Sequence, residues 1–416
     1  MKALVFLGDG PADSWTPPAG LEDNRLVQNL AATPVALRDV PDARPLRPDW
    51  VVVAPRLVGI CGSDAKQILL DFGDDEADNA MSAFCSFPQV LGHEVVGEVV
   101  ELGPEADRWG IDVGQRVVLN PWLSCVPRGI DPVCPACEAG DYSLCWSFAE
   151  GSISVGIHSG VSADATGGYA ERMPAHPSML FPVPASLSDE QAVTADPFAV
   201  SLHSITRHPP PEGGRVLVYG AGSLGTCAVA ILRALYPSVE VAVVARFDAQ
   251  QRLAEKLGAS IVLPSDDRLR IVEELAAWSG GRLRQPMQGL PMAHPGGIDV
   301  VYDTVGKPET FEVGVRLLKA RGTLVKSGFH GSGRWEWSPL YFKEISWVGS
   351  NAFGIEEIEG VRRHGIQHHL DLVAAGRIDL TPMLTHSFRL DEWRDAMVCI
   401  ADQGRTGAVK VTIDQR

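Results

Sequence analysis

The chain has 416 residues, of which 45% are hydrophobic and 21% charged, with 36 basic against 52 acidic side chains and a formal net charge of -16. That length exceeds one ordinary core and points to two domains, while an acidic balance without any Lys/Arg run argues against nucleic acid or an anionic membrane as partner. No apolar stretch nears the roughly 18 residues a spanning helix needs, so no membrane span is expected.

The opening MKALVFLGDG reads as a β-strand: its apolar run meets Gly and Asp at once and is too short for a signal peptide. The expected location is the cytoplasm. There, eight cysteines favour metal binding over disulfides. Residues 1–185 are strand-rich, with apolar runs at 50–53, 95–100 and 115–119 punctuated by Gly and Pro, as in an all-β domain of short strands. Residues 11–24 and 70–88 read as loop insertions, the second with a solvated acidic tract, DFGDDEAD.

After Pro184 the pattern changes. The stretch ASLSDEQAVTADPFAVSLHSI predicts a helix, RVLVYG a buried parallel strand and SLGTCAVAILRAL a helix. VEVAVVA, SIVLP, IDVVYDTVG, GTLVKSG and EISWVGS continue as strands, with helices at FDAQQRLAEKLGA, RLRIVEELAAWSG and TFEVGVRLLK between them. Such alternation means βαβ units and a parallel sheet. A Pro/Gly-rich insert at 282–297 reads as a surface loop, and the chain closes on the strand-like AVKVTI.

Gly220, Gly222 and Gly225 form a Gly-x-Gly-x-x-Gly array after a strand and at the head of a helix, with Ser223 and Leu224 inside it. In that context the glycines permit a tight turn, backbone approach to a pyrophosphate and close helix packing, so a dinucleotide site is expected. The next strand ends in Ala245 and Arg246 rather than Asp or Glu. An Arg there pairs with a 2′-phosphate, which favours NADP over NAD; the alternative is an exposed Arg with Asp248 serving the ribose.

Cys134-x-x-Cys137, then Cys145, with Cys125 upstream, is a four-thiolate zinc pattern of the structural kind. Cys61 in GICGSD and His93 in GHE form a second, mixed donor set, with Asp196 in TADPFAVSLHS as the best candidate for the third ligand and Glu94 as the alternative. Three protein ligands leave a position open on zinc for an alcohol oxygen. Two zinc ions per chain are therefore expected.

GICGSD, GHEVVGEVVELG, the four-cysteine lobe, GAGSLG and DVVYDTVG occur in an order that resembles the zinc-containing medium-chain dehydrogenase/reductases of the alcohol and polyol dehydrogenase type. The resemblance covers nearly the whole chain. It implies an α/β protein: a GroES-like β-rich catalytic domain at 1–195 and 352–416, with a structural zinc lobe at about 121–147, and a Rossmann doubly wound parallel-sheet domain at 196–351. By motif, Cys61 and His93 resemble catalytic zinc ligands, and Asp196 stands where polyol-type members carry an acidic group. Ser63 resembles the hydroxyl that passes the proton outward, Asp64 the carboxylate that orients the histidine, and Glu94 the glutamate behind the zinc. Lys410 resembles a basic residue reaching the pyrophosphate. Val305 lies in the DVVYDTVG motif of the cofactor site, and Ser327, Phe329 and residues 349–351 fall where backbone meets the nicotinamide. Lys66 replaces a histidine that ends the proton relay in many relatives. The resemblance also implies a homodimer or homotetramer and a small-molecule alcohol or carbonyl substrate. Two rival readings are reduction of an activated C=C or C=N bond by NADPH, and a nucleotide-binding protein without turnover.

Overall fold

The computed structural model describes residues 1–9, 15–71, 80–329 and 333–416. The predicted acidic tract lies almost wholly outside them, as does part of the 11–24 insertion.

Valine-rich segments Val51–Gly59 and Glu94–Leu102 pair antiparallel at the centre of a seven-stranded sheet. Its order runs Leu384–Phe388, Lys410–Asp414, Val51–Gly59, Glu94–Leu102, Arg116–Leu119, Leu180–Pro182, with Met173–Ala175 also paired to Val51–Gly59. β-branched side chains suit these strands because both faces are covered. Trp50, Val51, Val58 and Val99 are fully buried in one core, while Val96 and Leu57 face another. The C-terminal strand thus returns to the sheet begun near residue 51, bringing Thr412 opposite Gly59.

Six parallel strands form the second sheet, in the order Ile261–Pro264, Glu240–Ala245, Arg215–Tyr219, Ile298–Asp303, Leu318–Lys326, Ser346–Gly349. Numbered by chain position this is 3-2-1-4-5-6, the doubly wound order. Its ligand crevice lies past the carboxyl ends of the strands, where the order reverses. The reversal falls between Arg215–Tyr219 and Ile298–Asp303, so the glycine turn and the Thr304–Gly306 turn flank one cleft.

Two elements differ from expectation. The single helix predicted after Pro184 is two: Asp189–Ala192, closed by a Ser188/Gln191 capping box, and Ala195–Arg207. Pro197 is tolerated only in a first turn, so a new helix starts just ahead of it and places Asp196 at its head. The insert at 282–297 is not all loop. Leu283–Arg284 and Met292–Ala293 pair as a short hairpin, and Ala293 is buried.

Candidate metal centre and nucleotide cleft

Pairing of Gly59 with Glu94 sets two strand ends side by side, so Cys61, just past one strand, meets His93, just before the other. The donor atoms of Cys61, His93 and Glu94 lie within 4.8 Å of one another. Gly59 makes room for this. A Cβ there would collide with Glu94 Oε2 and come within 2.9 Å of Lys410 Cε. Asp196, the favoured third ligand by sequence, is outside that grouping, and Glu94 stands in its place. Asp196 is buried nearby and feels the same charges. Burial pushes its carboxyl up to about 7, with Glu94 and Asp64 adding to the rise and His93 and Lys410 opposing it.

His93 turns Nδ1 toward Asp64 Oδ1 at 3.3 Å, which leaves Nε2 as its donor. Tyr169 in turn donates its hydroxyl to Asp64 Oδ2 at 3.0 Å. Burial works against charge on His93, but Asp64 and Cys61 outweigh it and hold the imidazole well above its ordinary range. Glu94 Oε2 is buried without a partner of hydrogen-bond geometry, its ionic neighbour being Lys410. A soft thiol, an imidazole and an adjoining carboxylate whose charge Lys410 balances make a donor set that fits zinc.

Lys410 does not extend freely into the cleft, as its expected role at a pyrophosphate suggests. Its ammonium is buried against Glu94 and donates to Ile60 O at 3.0 Å. Ser63 is exposed in the first turn of the helix Gly62–Ile68. Lys66, on the same helix, donates to the carbonyl of Phe329 across the cleft. Burial is the main cause holding the Lys66 ammonium below its usual range.

Three residues beside the centre escaped the sequence reading. The His158 ring lies 4.7 Å from the His93 ring, and Trp122 stands edge-on to His158 at 5.8 Å. Tyr169 is the third. His158 is a lone histidine in a Gly/Ser-rich stretch and Trp122 follows a strand end, so neither carries a periodic signal. Only the GGY around Tyr169 hinted at a close backbone approach.

Cys125, Cys134, Cys137 and Cys145 converge with their Sγ atoms within 4.8 Å. Cys125–Cys145 and Cys134–Cys145 are 3.6 and 3.9 Å apart. A tetrahedron of 2.3 Å Zn–S bonds sets its sulfurs about 3.8 Å apart, so this donor set also fits zinc. The wide spacing between Cys125 and Cys134 holds Arg128, which is fully buried. All five of its guanidinium N–H groups donate to carbonyls: Leu123, Glu150, Ile153, Ser154 and Gly156, at 2.7–3.2 Å.

In the nucleotide cleft, Gly220 sits at φ +95°, and a Cβ there would press on Thr304 and Val305 at 2.6 Å. Gly225 packs against the Gly220 carbonyl, whereas a Cβ on Gly222 would meet nothing within 4 Å. Open space lies over the second glycine, at the head of the helix Ser223–Leu235. Leu224 anchors that helix by accepting from Ser201 Oγ at 2.9 Å. Buried Asp303 organises the facing turn: its carboxylate accepts from Val305 N, Gly306 N and Thr310 Oγ1, and its carbonyl from Ser327 N. Arg246 is exposed, its guanidinium 5.1 Å over the Phe247 ring. Ser327, Phe329 and residues 349–351 line one cavity of about 470 Å³ with His203 and Arg207.

A mixed-donor metal centre, a four-thiolate lobe and a doubly wound nucleotide sheet in one chain define a metal-dependent oxidoreductase. Residues 47–185 match the alcohol dehydrogenase GroES-like domain, and residues 223–364 match the zinc-binding dehydrogenase domain. The chain belongs to the zinc-binding medium-chain dehydrogenase/reductases. It is 29% identical over 333 residues to L-galactonate-5-dehydrogenase of Escherichia coli, covering 80% of this chain and 82% of that one. It is 26% identical over 337 residues to (R,R)-butanediol dehydrogenase of Saccharomyces cerevisiae, at 78% and 82% coverage. A zinc-binding dehydrogenase of Sinorhizobium meliloti solved with NADP superposes with a TM-score of 0.68 at 27% identity, covering 91% of this chain and 96% of that one. Among the described residues, no helix is long and apolar enough to cross a membrane.

Proposed function

We propose that this enzyme moves hydride between NADP(H) and an alcohol or polyol, or the matching ketone or aldehyde. The observation that carries the reading is the convergence of Cys61, His93 and Glu94 in a chain that also holds the glycine turn at its sheet reversal. Zinc, when bound, supplies Lewis acidity that eases deprotonation of a substrate hydroxyl. Cys61 and His93 would hold it with a carboxylate, Glu94 being the nearer and Asp196 the reserve. Asp64 and Tyr169 keep the His93 ring oriented. Ser63, exposed at the helix head, passes the proton outward, and Lys66 stands where the relay ends. The nicotinamide is taken to lie against Val305, Ser327, Phe329 and residues 349–351. Exposed Arg246 supports NADP, because no carboxylate is there to repel a 2′-phosphate.

The eight free thiols support a reducing cytoplasm. The edge strand Ser346–Gly349, with exposed Trp347, Tyr341 and Phe342 around it, supports a homodimer or a homotetramer built from one. The test is nicotinamide absorbance with a panel of alcohols. Loss of turnover in Cys61→Ala and His93→Ala, with nucleotide binding intact, is expected. Full turnover in either variant refutes the reading, and consumption of NADPH by an enone or imine alone redirects it to C=C or C=N reduction.

A further inference from the structure

The loop between the third and fourth thiolates of the lobe, 138–144, is docked on the chain that leaves the last strand of the parallel sheet. Ser143 Oγ donates to Asn351 O at 2.9 Å, and Asn351 Nδ2 donates back to Ser143 O at 3.3 Å. Each side chain thus holds the other residue's backbone. Ile355 N donates to Gly140 O at 3.0 Å, and the Arg362 guanidinium donates to Ala139 O at 2.9 Å. The approach is close enough to require a glycine, since a Cβ on Gly354 would lie 2.1 Å from Gly140 O. Ala352 and Phe353 are buried in the same apolar cluster as Cys125, Cys137 and Cys145.

Ala352 has φ +54°, a left-handed conformation that is costly for a residue with a Cβ. Such a backbone persists only where its surroundings over-determine it. The lobe grips it on one side. On the other, Ser350 N donates to Lys326 O at 2.9 Å and Ser204 Oγ to Ser350 Oγ at 2.9 Å. Residues 349–351 are therefore held between the sheet and the lobe. They leave the strand Ser346–Gly349 at its carboxyl end, the side on which a doubly wound sheet binds its nucleotide. Leu144, from the lobe itself, lines the cavity of about 470 Å³ together with Ser327, Phe329 and residues 349–351.

We infer that the four-thiolate lobe sets the backbone that receives the nicotinamide, with Ser143 and Asn351 as the positioning residues. This rests on the reading of Ser327, Phe329 and residues 349–351 as the nicotinamide end of the cleft. A metal ion in the lobe fixes Cys137 and Cys145, and with them the loop between. That conformation reaches residue 351 through the two reciprocal hydrogen bonds. Without them Ala352 relaxes out of the left-handed region and carries residues 349–351 with it. The adenosine half of the nucleotide belongs to the other half of the sheet, at Arg215–Tyr219 and Glu240–Ala245, and does not sense the lobe.

The experiment measures calorimetric affinity for two probes: NADPH, and 2′,5′-ADP, which lacks the nicotinamide. NADH and ADP form the matching pair for the nucleotide without a 2′-phosphate. The proteins are zinc-loaded wild type, Ser143→Ala, Asn351→Ala and the double variant, each with its zinc count verified by atomic spectroscopy. Expected is a loss of NADPH affinity of about three- to tenfold in each single variant, the size of one hydrogen bond, with 2′,5′-ADP affinity unchanged. The double variant should lose less than the product of the single losses, because both bonds hold one contact. Cys145→Ser, which empties the lobe, should show the same selective loss; should it fail to fold, the single variants decide. Equal losses on both probes, or none on either, overturn the inference and leave the pair as an ordinary tie between two segments. A wild type that binds NADPH no tighter than 2′,5′-ADP, and NADH no tighter than ADP, removes the nicotinamide reading itself, and the inference falls with it.

Discussion

The ammonium of Lys410 and the carboxylate of Glu94 form an ion pair beneath the candidate metal centre, with 1% and 2% of their side chains exposed. Burial alone would pull the lysine down, but Glu94 and then Cys61 hold it above its ordinary range. Lys410 thus balances charge on a carboxylate that a bound zinc would also attract. Lys410→Met leaves a buried carboxylate uncompensated and should cost about 3–5 kcal/mol in the metal-free protein. Zinc then supplies the missing charge, so part of the loss should return on loading. Urea unfolding with and without a chelator checks this, and an equal deficit in both states refutes it.

The four-thiolate lobe and the mixed centre should empty independently. Cys145→Ser should lower the zinc count from two to one per chain and reduce the unfolding temperature, because a structural zinc adds folding free energy directly. His93→Ala should also remove one zinc but leave that lobe folded. Metal analysis and thermal unfolding on the same samples distinguish the two.

Arg246→Asp should raise the KM for NADP at least about tenfold and lower that for NAD, through loss of a charge-assisted contact and gain of a ribose acceptor. Kinetics with both nucleotides give the result directly. No change in the ratio would assign the adenosine end to other residues.

Burial pulls His364 and His369 down to about 3, far below the ordinary 6.5. Both belong to the segment that packs on the helix Ala195–Arg207, where His369 meets Thr194 Oγ1 at 2.9 Å. Below 6.5 the unfolded chain takes up protons that the folded chain refuses. Their contribution is therefore whole above 6.5 and is lost as pH falls toward 3, at about 1.4 kcal/mol per pH unit for each proton. Denaturant midpoints at about pH 7 and about pH 5 should differ in that direction, and His369→Gln should reduce the difference.

Arg128→Met should be among the most damaging single changes, at about 3–5 kcal/mol, since it strands five carbonyls that now accept from one buried cation. Arg128→Lys offers three donors in place of five and should recover only part. Equilibrium unfolding measures both.

The parallel sheet, the glycine turn and the donor types at Cys61, His93 and the four-cysteine lobe were legible in the chain because each rests on local chemistry. Apolar period, turn residues and donor spacing act over a few residues. The tertiary structure decided what depends on distant segments meeting. The sheet register set Glu94 closer to Cys61 and His93 than Asp196 is, and the returning C-terminal strand buried Lys410 under Glu94. His158 and Trp122 came to the centre through an isolated antiparallel bridge between two loops, and no spacing rule encodes such an arrangement. Donor identity is written residue by residue, whereas the partner each donor meets is chosen by packing across a hundred residues or more.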